Sequence, residues 1–144
     1  MTDLRIEPVS GDLGLRDWQL VHNLIIPTDP LSLAEIRERA GRNRLEVAHL
    51  GETLVGCSTV RPPVDGTATV IARVLPAYRR QGIGAQLYTH SLAYARSLGA
   101  TVIETVVLAS NPDGLRFAEG QGFVEIERYL LPGDTVPYVD LRLA

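Results

Sequence analysis

Hydrophobic and polar positions change period along this chain, and each change marks an element. Leu4 to Pro8 alternates weakly and predicts a first strand. Residues 10–14 read as a turn. Leu15, Trp18, Val21 and Ile25 then recur at helical spacing and predict a helix to Ile26, ended by Pro27. Ser32 followed by Glu35 is a capping-box pattern, and Leu33, Ile36 and Ala40 mark the apolar side of a second helix stopped by Gly41. Leu45 to Leu50 and Thr53 to Val60 predict two strands around a Gly51-Glu52 hairpin turn. Residues 61–66 read as a loop, and Thr67 to Leu75 as the next strand. Gly84 to Leu98 is a long helical pattern closed by Gly99. Thr101 to Ala109 is a dense β-branched run that predicts a buried strand. Asn111 to Gly120 predicts a short helix. Phe123 to Leu131 and Val136 to Leu143 predict two final strands joined by Pro132-Gly133-Asp134.

The resulting order is β, α, α, β, β, β, α, β, α, β, β. Periodicity alone supports a mixed α/β domain. No repeat, low-complexity tract or linker interrupts the pattern, so residues 1–144 are expected to form one domain, long enough to bury a sizeable core.

Composition narrows the function. Hydrophobic content of 45% and charged content of 22% are those of an ordinary globule. A net charge of −3 offers no global attraction to nucleic acid or to an anionic membrane, so neither is expected as a partner. No apolar run approaches the ~18 residues of a transmembrane helix, and the first residues have no apolar signal core. Cys57 is alone, and His22, His49 and His90 are scattered without ligand spacing, so no metal site is expected. These features point to a cytoplasmic protein.

One stretch carries most of the chemical information. The strand pattern of Thr69 to Val74 runs into Leu75-Pro76-Ala77-Tyr78-Arg79-Arg80-Gln81-Gly82-Ile83-Gly84-Ala85, and a helix follows at once. A strand that ends in a Gly-rich turn opening a helix is an anion site. The first helical N–H groups lack intrahelical acceptors, and the helix dipole favours negative charge there. Gly82 and Gly84 allow the backbone to lie close to a bulky diphosphate, and Arg79 and Arg80 add positive charge. Two familiar phosphate loops are excluded. All fourteen basic residues are arginine, so the P-loop lysine is missing, and Leu87 stands where the dinucleotide fingerprint needs a third small residue.

Arg79, Gly82 and Gly84, preceded by Val74-Leu75-Pro76, resemble the acyl-CoA loop of the GNAT (Gcn5-related N-acetyltransferase) superfamily. Asn111 and Gly122-Phe123 extend the resemblance, which spans residues 74–123. It implies a GNAT acyltransferase fold: a central, mixed, mostly antiparallel sheet of about seven strands flanked by about four helices. It also implies acetyl-CoA as co-substrate, its pantetheine arm pairing with the main chain of Ala72, Arg73 and Val74. The pyrophosphate would rest on amides of Arg79, Arg80, Gln81, Gly82, Ile83, Gly84 and Ala85, and Asn111 would contact the arm. The reaction implied is N-acetylation of a primary amine on a small molecule or peptide. Many members donate a proton from a tyrosine on the helix after the asparagine; here that position is Ala118.

The catalytic candidates are therefore others. Glu104 and Glu46 lie within β patterns, where a carboxylate is unusual, and are candidate bases. Tyr138, like Tyr129, offers a hydroxyl from the last strands. Asp140 is a further carboxylate behind them. Residues 22–32 join a helix end to a loop, and there Asp29 offers charge to a cationic amine. Ala118 leaves two other readings open: a degenerate acyl-CoA-binding or regulatory module, and a structural or dimerisation domain with a vestigial loop. The final strands offer an edge for a homodimer.

Overall fold

The computed structural model describes residues 3–143. The chain runs through β1 (Leu4–Pro8), α1 (Gly11–Ile25), α2 (Leu33–Ala40), β2 (Arg44–Leu50), β3 (Thr53–Val64), β4 (Thr67–Val74), α3 (Ile83–Ser97), β5 (Val102–Leu108), α4 (Pro112–Gly120), β6 (Phe123–Tyr129) and β7 (Tyr138–Leu143). The strands form one sheet in the order β1-β2-β3-β4-β5-β7-β6. Neighbours are antiparallel except β4 and β5, which are parallel because α3 carries the chain back between them. Seven strands and four helices match the mixed, mostly antiparallel architecture that the resemblance implies.

Local signals set several boundaries. The capping box of α2 is complete: Ser32 Oγ accepts from the Glu35 N–H at 3.2 Å, and Glu35 Oε1 accepts from the Ser32 N–H at 3.1 Å. Two boundaries differ from the sequence reading. Residues 11–14 are the first turn of α1, where Asp12 complements the helix dipole and meets Arg37 on α2 at 2.8 Å. The segment read as a loop at 61–66 continues β3 to Val64. Pro62 and Pro63 have no N–H to donate, so the ladder breaks there between Arg61 and Val64 and resumes at Val64. Asp65 and Gly66, both with positive φ (51° and 80°), then make the tight turn into β4.

The sheet has a core on each face. On one, α1 and α2 press Trp18, Val21 and Ile36 onto Leu45, Val47 and Cys57. Trp18 is buried and its indole N–H donates to the Ser58 carbonyl at 3.2 Å, so its one polar atom is satisfied. On the other, α3 and α4 cover Val60, Val70, Ile103 and Leu141 with Tyr88, Ala95 and Ala118. No helix among the described residues is long and apolar enough to cross a membrane.

The parallel pair is short. Only Thr67, Ala68 and Thr69 face Val102, Ile103 and Glu104. Beyond them β4 stays with β3 as far as the Val74–Gly56 pair, and the Leu75 N–H still donates to the Val55 carbonyl at 2.8 Å. β5 stays with β7 to the Leu108–Tyr138 pair, and the Ala109 N–H reaches the Pro137 carbonyl at 2.9 Å. The sheet therefore divides into two halves, and the facing edges of β4 and β5 are left without each other's hydrogen bonds.

Gly56 holds the β3–β4 side of this division together. A Cβ there would lie 2.5 Å from the Arg73 carbonyl oxygen, a backbone atom with nowhere to retreat. Gly56→Ala is expected to cost about 2–4 kcal/mol in urea unfolding, far more than an alanine on an open strand. His22 gives a second test. It is buried and stacked on Trp18, and burial, with Arg73 nearby, pushes its pKa down to about 4. The unfolded chain binds this proton below about pH 6.5 and the native state only near pH 4, so stability falls as pH drops through that window. Unfolding free energy at pH 5 should be about 2 kcal/mol below that at pH 7, and His22→Gln should flatten the difference.

Candidate active site

The gap between the two halves of the sheet is the floor of a cavity of about 380 Å³. Ile71 to Val74 of β4 and Thr105 to Leu108 of β5 form its sides. On one face of the sheet it is walled by the loop after β4, by α3 and by α4; on the other by Ile25 and Ile26 at the end of α1 and by Tyr138. The cavity thus passes through the plane of the sheet.

The loop delivers unpaired donors to its mouth. Pro76–Tyr78 makes one 3₁₀ turn, and α3 follows with Gly82 as N-cap at φ +79°. Gln86 makes the first helical bond, its N–H donating to the Gly82 carbonyl at 3.2 Å. The N–H groups of Ile83, Gly84 and Ala85 precede it and have no intrahelical acceptor. At Gly82 a Cβ would meet open space, so glycine is required there by the left-handed backbone. Gly84 is different. A Cβ at Gly84 would sit 2.9 Å from the Phe117 ring, so part of the requirement is the close approach of α3 to α4.

Arginines surround this mouth. Arg79 Nε donates to the Val74 carbonyl at 3.0 Å, and its Nη1 lies 3.5 Å from Asp113 on α4. Arg79 therefore ties the strand end to the helix opposite. Arg80 is exposed at φ +63°, and Arg116 meets Asp113 at 2.6 Å, holding that carboxyl below its usual range. Three guanidiniums and one carboxylate leave the mouth positive.

Asn111 lies on the wall as the N-cap of α4, its Oδ1 accepting from the Gly114 N–H at 3.0 Å. Only the oxygen is used, and the side-chain amide N–H groups remain available. Capping and ligand contact are thus compatible in one residue.

The other expected residues divide. Ala72, Arg73, Val74, Arg79, Arg80, Gly82, Ile83, Gly84, Asn111 and Tyr138 all line the cavity; Gln81 and Ala85 do not. The Ile83 side chain turns into the core beside Val55 and Leu87. Glu104 is not on the wall: Arg142 on β7 holds its carboxylate at 2.6 Å. Glu46 is not there either. It is fully buried on β2, paired with Arg44 at 3.3 Å and with His90 of α3 at 3.1 Å. Tyr129 donates to Asp140 at 3.1 Å, away from the wall. Tyr138 donates to Asp29 Oδ2 at 3.2 Å, and burial, then Asp29, pushes its pKa up to about 12, so it stays protonated.

Several wall residues were not anticipated. Tyr88 lies one helical turn after Gly84, its hydroxyl 3.1 Å from Thr105 Oγ1 on β5, and burial raises its pKa. Phe117 stacks on Tyr88 with ring centroids 5.3 Å apart. Ala118, at the position of the expected acid, is buried in the core. Helical spacing carried the missing signal: Tyr88 follows Gly84, and Arg116 follows Asp113, on one face.

Residues 16–123 match the profile of the Acetyltransferase (GNAT) family. The chain belongs to the GNAT family. No curated protein matches it by sequence. Solved structures show the same fold at low identity. The ribosomal-protein-S18-alanine N-acetyltransferase from Escherichia coli superposes with TM-score 0.77 at 20% identity, over 98% of this chain and 93% of that one. A Bacillus subtilis acetyltransferase in complex with CoA gives 0.72 at 22%, over 98% of both chains. A Salmonella typhimurium structure containing acetyl-CoA gives 0.75 at 15%, over 97% and 92%.

In this GNAT protein the Gly84–Phe117 contact makes a defined prediction. Gly84→Ala should destabilise by about 1–3 kcal/mol, because the Phe117 ring must move. In a Phe117→Ala background the same change should cost less than half as much, read as the coupling in a double-mutant cycle of urea unfolding.

Proposed function

We propose that this chain is an acetyl-CoA-dependent N-acetyltransferase acting on a primary amine of a small molecule or peptide, by direct attack in a ternary complex. The observation that carries the reading is the juxtaposition of two sets of unpaired backbone groups: the open edge of β4 and the orphan N–H groups at the mouth of α3. An extended arm with amides along it suits the first. A diphosphate suits the second, with Arg80 and Arg116 adding charge. Family membership and neighbours solved with CoA and acetyl-CoA support the same assignment.

In this reading the pantetheine arm lies along Ala72, Arg73 and Val74, and Asn111 contacts it from the far side. The thioester then sits in the gap, facing the α1 side of the sheet. The ammonium must give one proton to solvent water before its nitrogen can attack. Its nitrogen adds to the thioester carbon, the carbon–sulfur bond breaks, and CoA leaves as thiolate. The nitrogen loses its second proton, and the thiolate takes one up. Tyr138 is the catalytic candidate on the wall. Its proton is directed to Asp29, so its oxygen lone pairs are free to accept from the incoming ammonium and orient it. Glu46 and Glu104 are tied to Arg44 and Arg142 elsewhere, and a role for either would run through water.

A non-catalytic acyl-CoA-binding module is the second reading, favoured by the burial of Ala118 where an acid is usual. Calorimetric titration with acetyl-CoA, then an amine screen read by thiol release, separates the two. Saturable binding with amine-dependent release is expected. A folded protein that binds no acetyl-CoA at millimolar ligand overturns both readings; tight binding with release only at the rate of background hydrolysis selects the second.

A further inference from the structure

One guanidinium on the cavity wall has no counter-ion. Arg73 projects from β4 to the α1 face of the sheet: its register partner Cys57 packs in the cluster under Trp18, while its neighbours Ala72 and Val74 belong to clusters on the α3 face. It lines the cavity, is half-buried, and forms no ion pair among the described residues. The titratable groups that feel its charge are Cys57, Tyr138, Tyr88 and His22, all neutral at physiological pH, and a second cation, Arg61. Burial depresses its pKa, yet an arginine stays charged at any physiological pH. A cation in such surroundings is poorly solvated and uncompensated. The diphosphate mouth, with Arg79, Arg80 and Arg116, opens on the other face, so Arg73 is not placed to serve it.

On the same α1 side, the hydroxyl of Tyr138 holds the carboxylate of Asp29. The wall thus offers the Arg73 cation and the Tyr138 hydroxyl, with Asp29 held behind that hydroxyl and Ile25, Ile26 and Ile71 lining the same cavity as apolar surface. We infer that the acceptor is a free α-amino acid with an apolar side chain. Its carboxylate pairs with the Arg73 guanidinium, two-pronged, and its ammonium is received by Tyr138 and Asp29. A peptide N-terminus carries a neutral amide where this site demands an anion. The inference rests on the acyltransferase reading above and specifies its second substrate.

The test pairs the proteinogenic L-amino acids with their carboxamides. Each is titrated into the protein loaded with CoA, and each is assayed with acetyl-CoA by thiol release. At least one apolar amino acid should bind and should exceed its carboxamide by about 30-fold or more in affinity or in kcat/KM. Arg73→Gln should bring that ratio close to one by lowering the acid, and Arg73→Lys should restore part of it. Equal use of acid and amide by the unmodified protein overturns the inference without any variant. So does an unchanged ratio in Arg73→Gln, or no amino acid binding to the CoA-loaded protein. Failure of CoA itself to bind strikes the acyltransferase reading, and this inference with it; failure to discriminate acid from amide strikes this inference alone.

Discussion

The site depends on a partnership that two strands give up. β4 and β5 share three register pairs and then separate, because each keeps its other neighbour: β3 for one, β7 for the other. Unpaired backbone groups facing an apolar cleft are costly unless something fills their hydrogen-bonding capacity. A single continuous sheet would contain no such groups and no opening. The division therefore creates both the space and the demand for an extended ligand.

The surrounding elements keep that opening from closing. Gly56 lets β3 hold β4 in place, and Arg79 fastens the end of β4 across the mouth to α4 through Asp113. Tyr88 and Phe117 fill the α3 side with stacked rings, and the Tyr88–Thr105 hydrogen bond joins α3 to β5. Charge is separated by face: arginines cluster at the α3–α4 mouth, while Arg73 and Asp29 stand on the α1 side.

How much of this the chain disclosed follows from the range of each interaction. The capping box at Ser32 and Glu35 spans one turn and was legible in full, as were the Gly-rich loop and the helix it opens. The Pro62-Pro63 pair read as a loop, because a lost N–H looks the same at a strand bulge as in a coil. Glu104 stood out as a carboxylate within a β run, but its partner Arg142 arrives from a strand 38 residues further on. Gly84 read as clearance for a ligand; the ring it accommodates comes from α4, a contact that local pattern does not encode. Arg73 was assigned for its main chain alone, and its side chain gained meaning once the sheet showed which face it occupies.

The cavity draws its lining from both faces of the sheet, so the α3 wall and the α1 wall stand on opposite sides of one gap. In the reading proposed above, a carrier seated against α3 and an acceptor seated against α1 would meet within the sheet instead of stacking one over the other. Seated so, neither partner would cover the other, and the sequence of loading and release would follow relative affinities.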